Sequence, residues 1–425
     1  LHLAVLQTLG AGDLAWRAFD LAWLALAGLS IAAFAAPWGV VAAAGGALAF
    51  GAVHLAGGAW QAGQRDYLLC PLLVAGALGV ARWLEARGGL GRLAFSGAAL
   101  GAAITLKPHA GLLAVALGVV VVAAAARAGG PAAAVPAALT YGAAAAAAPA
   151  VILAWLTAAG GLGAWRQTVF EYLLPLYARL GRDAGWALHR GEAWIALTLA
   201  TALSVAAVVR ARRFGPRHAV ALGGVAYGVV HFVGQGKGWE YHLHPLAAFL
   251  APLLFAGLEP VAAAGRALRA ALAAALVAAL GLIAVKGIEA APAAWERDKA
   301  ARVTRLVEEL RPQLQAGDTV QVLDTSDGGV HALLRLGRQQ PTRFVYDFHF
   351  YHDVDTPVVR ALRAELIGGL DAAPPRFIIV FEHGWPAGSY DRLRAFPELG
   401  ERLATRYVLA AARDGYRIHA KSDRP

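Results

Sequence analysis

Through its first two thirds the chain alternates between apolar blocks near the length of a bilayer crossing, about 20 residues, and short polar runs. The pattern predicts crossings at about 17–36, 38–57, 66–81, 93–106, 111–126 and 132–158, and then at 193–209, 218–234, 245–258 and 268–285. Residues 1–10, LHLAVLQTLG, are too short to cross and suit the membrane interface. Residues 159–192 break the rhythm by mixing aromatics, arginines and apolar positions, as an amphipathic segment lying in the interface would. After Lys286 the periods change. AWERDKAARVTRLVEELRPQL (294–314) has a helical stripe, GDTVQVLDTS (317–326) and FIIVFE (377–382) look like strands, and YVLAA (407–411) with YRIHA (416–420) looks like a terminal hairpin. The expected architecture is an α-helical polytopic membrane module of about ten crossings (1–289), followed by a small α/β domain (290–425).

Composition agrees. Hydrophobic residues make up 58% of the 425 and charged residues only 16%, against about 25% charged in soluble domains. The net charge of +10 is unevenly placed, since nineteen Lys and Arg face ten Asp and Glu in residues 1–289 and nineteen face eighteen in the rest. A basic excess confined to a membrane module belongs to loops and anionic-ligand sites and does not call for nucleic acid. The loops at 82–92, 127–131, 210–217 and 259–269 hold ten Lys and Arg against Glu85 and Glu259. The positive-inside rule makes these cytoplasmic and leaves the alternate loops and the C-terminal domain outside, in a bacterial inner or plasma membrane. Cys70 is the single cysteine, which excludes internal disulfides and cysteine metal clusters. There is no methionine, even at position 1, so we expect the sequence to begin inside a longer protein.

The outer loops concentrate unusual polar residues. The first carries Gln61, Gln64, Arg65 and Asp66, the second Lys107 and His109. The third carries Arg166, Glu171, Tyr172, Tyr177, Arg179, Arg182 and Asp183, the fourth Lys237, Glu240, Tyr241, His242 and His244. On one face they supply cations for a phosphate and carboxylates for acid–base work. Each set also has a bland reading: Arg65 and Asp66 as an interfacial anchor, Lys107 and His109 as a turn, 159–192 as a membrane anchor, Tyr241, His242 and His244 as belt residues. His242 and His244 are two apart, a poor zinc spacing, and no phosphate-binding glycine loop is present. In the tail, VYDFHFYHDVD clusters Asp347, His349, His352, Asp353 and Asp355, either as a divalent-metal site or as a solvated loop. Asp13, after Gly-Ala-Gly, reads as a helix N-cap, and Asp20 lies inside the first crossing.

The order of QRDYLL, LKPHA and GKGWEYHLHP ahead of a small α/β tail resembles the bacterial polytopic glycosyltransferases of the GT-C superfamily, the kind related to protein O-mannosyltransferases and the lipid A aminoarabinose transferase. The resemblance covers roughly 1–289 by layout. It implies a polyprenyl-phosphate-linked sugar donor and an extracytoplasmic lipid, glycan or protein acceptor. It implies that Asp66 is a cavity carboxylate, that Lys107 approaches the lipid phosphate, and that Lys237, Tyr241 and His242 face the cavity. Those relatives carry a principal carboxylate in an earlier outer loop, which here would precede Leu1 together with the first span. A transporter or lipid flippase, and an envelope polymer ligase, are the alternative functions.

Overall fold

The structure, a computed structural model, describes residues 2–10, 12–86, 88–180, 192–263, 265–385 and 388–422. It divides into two compact units, Leu1–Trp165 with Gly181–Pro292, and Arg166–Leu180 with Ala293–Pro425. The first begins with α1 (His2–Leu9) and α2 (Asp13–Ala35). Next come α3 (Val40–Ala56), α4 (Arg65–Ala86), α5 (Leu90–Leu106), α6 (Ala110–Ala158) and α7 (Leu162–Arg166). It closes with α8 (Glu192–Arg210), α9 (Pro216–Gln235), α10 (His244–Ala256) and α11 (Arg266–Ala290). Asp13 is the first helical residue of α2 and the N-cap position belongs to Gly12, so Asp13 acts on the helix dipole rather than as a cap.

α6 is continuous only in name. Gly129 (φ −155°) and Gly130 (φ 65°, ψ −157°), with Pro131 behind them, break it into the two crossings that the pattern predicts. The halves return on each other, and Tyr141 Oη donates to the Ala114 carbonyl at 2.7 Å. With no water inside a bilayer, such helices associate by close packing of small residues. Gly97 and Gly101, one GxxxG pair on α5, meet the backbone of Tyr141 and Ala145, where any Cβ would collide. Gly224 and Gly228 form a second pair on α9. A Cβ at Gly228 would stand 2.5 Å from the Leu246 Cα of α10. At the opposite end from the site below, Arg217 grips Glu85 through two bonds of 2.8 and 2.6 Å and donates to the Phe34 carbonyl, joining α9, α4 and α2.

The second unit is a three-layer α/β domain. Strands β1 (Val320–Leu323), β2 (Phe377–Phe381), β3 (Tyr407–Arg413) and β4 (Tyr416–Lys421) lie in the order β1-β2-β4-β3. β1 and β2 are parallel and the other pairs antiparallel. β2 is buried on both faces, which is why FIIVF is apolar throughout. Phe377, Ile379 and Phe381 meet Val303, Leu306 and Leu310 of α12 (Ala294–Leu310) and Leu333 of α13 (Gly329–Leu336). Ile378 and Val380 meet Leu366 of α14 (Pro357–Ala372) and Leu403 of α15 (Pro397–Arg406).

Residues 166–180, expected along the membrane interface within the first module, group with this domain instead. They hold a π turn, Gln167–Leu173, whose Tyr172 joins Leu176 in burying Val359 of α14. Tyr172 and Leu176 are thus covered by protein, while Phe170, Leu173 and Leu174 stay exposed.

Candidate active site

Asp66 occupies the first turn of α4, where the helix N-terminus favours a carboxylate, and it is 2% exposed. Lys107 closes α5. Pro108 disfavours helical backbone in the residue before it, so Lys107 turns extended (φ −154°) and the helix stops. Its Nζ donates to both oxygens of Asp66 at 2.8 Å. His231, near the C-terminal end of α9 and one turn beyond Gly228, brings its Nε2 to 2.5 Å from the same carboxylate. Tyr227, four residues earlier on the same helix, lies 3.3 Å from His231 Nδ1. With the Tyr227 hydroxyl donating to Nδ1, the imidazole presents Nε2–H to Asp66. Three helix ends therefore hold one buried ionised cluster, and a lone charge there would cost several kcal/mol.

His242 stands beside the cluster on a 3₁₀ turn, Glu240–Leu243, its ring 6.3 Å from that of His231 and 4.7 Å from that of Tyr241. Its Nδ1 is buried with no hydrogen-bond partner among the described residues. His109 is exposed and meets His231 edge-on at 5.6 Å. Lys237 lies in the loop before the 3₁₀ turn, 4% exposed, and burial pushes its ammonium down to about 8.

A second polar chain lies at the same ends of α2, α3 and α10. Asp20 accepts from the Gly63 backbone N–H at 2.8 Å and meets His54 Nε2 at 3.0 Å. His54 Nδ1 lies 3.2 Å from His244 Nε2, and His244 Nδ1 donates to the Tyr241 carbonyl at 3.0 Å. That last bond makes His244 Nε2 an acceptor, so His54 must donate to it from Nδ1. For Nε2 also to bond Asp20, a further proton must sit between them. The geometry therefore describes an imidazolium–carboxylate pair, or its neutral isomer, holding the Gly63 and Tyr241 loops.

The structure thus brings together Asp66, Lys107, His109 and His242, and places His244 in the neighbouring chain. Glu240 pairs with Lys286 of α11. Arg65 is exposed, with no acidic group against it among the described residues. Glu171, Tyr172 and Arg179 belong to the second unit, where Tyr172 bonds His352 and Glu171 lies 3.8 Å from Arg166. Arg182 and Asp183 fall outside the described residues. In the tail, Asp347 is taken by Arg392 and Thr325, and His352 by Tyr172 and Asp353. Among the described residues no three His, Cys, Asp or Glu converge as a metal ion requires.

The sequence reading missed His231, Tyr227 and His54 and set Asp20 aside. The signal was available: an ionisable residue inside an apolar crossing is expensive and functional by default, and Tyr227 and His231 share a helix face.

No family model matches the chain, and none of the curated proteins matches it in sequence. Among solved structures it is similar to ArnT from Cupriavidus metallidurans bound to undecaprenyl phosphate, with a TM-score of 0.52 at 13% identity over 99% of this chain and 86% of that one. Over nearly its whole length, the chain has the polytopic membrane fold that ArnT displays.

Proposed function

We propose that the protein is an integral-membrane glycosyltransferase that moves a sugar from a polyprenyl-phosphate-linked donor to an extracytoplasmic lipid, glycan or protein acceptor. The observation that carries this reading is the buried Asp66–Lys107–His231 cluster at one end of a bundle with the ArnT fold. In the reaction, an acceptor oxygen attacks the anomeric carbon, the bond from that carbon to the phosphate oxygen breaks, and the lipid phosphate leaves with the electron pair. Lys107 and Lys237 stabilise the charge growing on that phosphate. Asp66 takes the acceptor proton. Both its oxygens are held by Lys107, which makes it a weak base until the ammonium turns toward the donor phosphate. His242 Nδ1, buried with no partner among the described residues, supplies a further contact to the substrate.

Several features support a site at the outer surface. Asp66, Lys107, His231 and His242 all lie at helix ends, whereas a transporter site favours broken helices near the bilayer midplane. The loops at the opposite helix ends hold the basic excess. We accordingly assign the cluster and the C-terminal domain to the extracytoplasmic side of the plasma membrane. The test is transfer by the purified protein from undecaprenyl-phosphate-linked sugars to bacterial lipid and glycan acceptors. Asp66→Asn should abolish it while the protein still accumulates in the membrane. Unchanged turnover in that variant would remove Asp66 from the chemistry.

A further inference from the structure

The second unit contains a half-open cavity of about 230 Å³. This is smaller than the 300–1,000 Å³ typical of drug-sized ligand sites. Two distant stretches of sequence make it. Gln167, Thr168 and Tyr172 come from the segment that runs between membrane helices, and Arg343, Phe344 and His349 come from the domain itself.

The walls are aromatic and the polar groups are both donors and acceptors. Asp353 holds His352 Nδ1 at 2.9 Å, which requires a proton on that nitrogen and leaves Nε2 to accept. Tyr172 therefore donates its hydroxyl proton to His352, at 2.6 Å, and keeps its oxygen lone pairs. Arg343 spends Nε and Nη2 on Glu365, at 2.5 and 2.7 Å, which balances its charge and leaves Nη1 to donate. Gln167 adds an amide and Thr168 a hydroxyl. His349 lies tilted against Phe348, ring centroids 4.1 Å apart, and its ring nitrogens have no hydrogen-bond partner among the described residues. Burial and the nearby His352 and Arg343 push it down to about 4, so at neutral pH it offers one donor and one acceptor.

A small, charge-balanced site with mixed donors and acceptors on aromatic walls matches a ring that is polar at its edge and apolar on its face. We propose that this cavity binds one neutral sugar ring; resting on the transferase reading above, that ring is a carbohydrate unit of the acceptor.

The test uses the full-length protein in nanodiscs. It is titrated with the methyl glycosides of glucose, galactose and mannose and with N-acetylglucosamine, followed by saturation-transfer NMR. Glucuronate and glucose 6-phosphate serve as charged comparisons. At least one neutral sugar should bind saturably. Its dissociation constant should rise at least tenfold in His349→Phe, which keeps an aromatic ring and removes both nitrogens. Thr168→Trp, which fills the mouth from an exposed position, should do the same and carries the test if His349→Phe does not fold. The proposal fails if no neutral sugar binds saturably, if the anions bind in preference, or if the pocket variants bind like wild type. The titration reads no transfer. A protein that binds through this pocket but transfers nothing overturns the transferase reading alone, and one that transfers without pocket-dependent binding overturns this inference alone.

Discussion

The Asp66–Lys107 pair makes a quantitative demand. Asp66 is 2% exposed and Lys107 is 9% exposed, and the ammonium lies 2.8 Å from both carboxylate oxygens. Lys107→Met leaves a buried carboxylate without its main counter-charge. Removing one partner of such a pair costs about 3–5 kcal/mol. The remaining bond from His231 offsets part of this, so the expected loss is roughly 2–4 kcal/mol. Asp66→Asn strands the ammonium and should cost a similar amount. The double variant Asp66→Asn/Lys107→Met removes both charges and should lie within about 1.5 kcal/mol of wild type, because neutral replacement of a buried pair is often tolerated. Unfolding in mixed micelles titrated with SDS, followed by tryptophan fluorescence, measures all four corners of the cycle. Single-variant losses that simply add in the double variant would show that the two charges are not coupled, and the cluster would lose its physical basis.

Three further outcomes are expected. Asp20→Asn weakens the acceptor shared by His54 and the Gly63 N–H and should destabilise by about 1–3 kcal/mol in the same assay; wild-type stability would dissolve the chain. Burial lowers Lys237 to about 8, so the folded protein holds fewer protons than the unfolded chain between pH 8 and the ordinary lysine range. Stability should therefore rise with pH in that window while affinity for a phosphate-bearing lipid falls, and Lys237→Met should flatten both profiles in paired melting and binding series. Gly228→Val forces a side chain into the Leu246 backbone, and should cost about 1–3 kcal/mol while weakening lipid-phosphate binding through a displaced His231; a variant that melts and binds normally would contradict the close helix contact.

Much of the membrane module was legible because a bilayer allows few solutions, and apolar block lengths with glycine and proline breaks mark the crossings. The RAGGP break inside α6 is an example, and in the second unit the β3–β4 hairpin was legible from its strand periods and turn. Asp66 and Lys107 stood out as charges at the lips of apolar runs, but their pairing joins residues 41 apart, through helix packing that periodicity does not encode. His231 and His54 were hidden for the same reason: each sits in an apolar helix, and only the fold shows what it meets. The segment 166–180 looked like an interfacial helix because its apolar face is real. The sequence alone could not show that Val359, nearly two hundred positions later, packs on its Tyr172 and Leu176.

The most direct test of the proposed function is binding of undecaprenyl phosphate itself. Purified protein in nanodiscs is titrated with the lipid and compared with Lys107→Met. The account predicts saturable binding to wild type and at least a tenfold weaker dissociation constant in the variant. Absence of saturable binding, or equal affinity in both proteins, would contradict a lipid-phosphate site at Lys107.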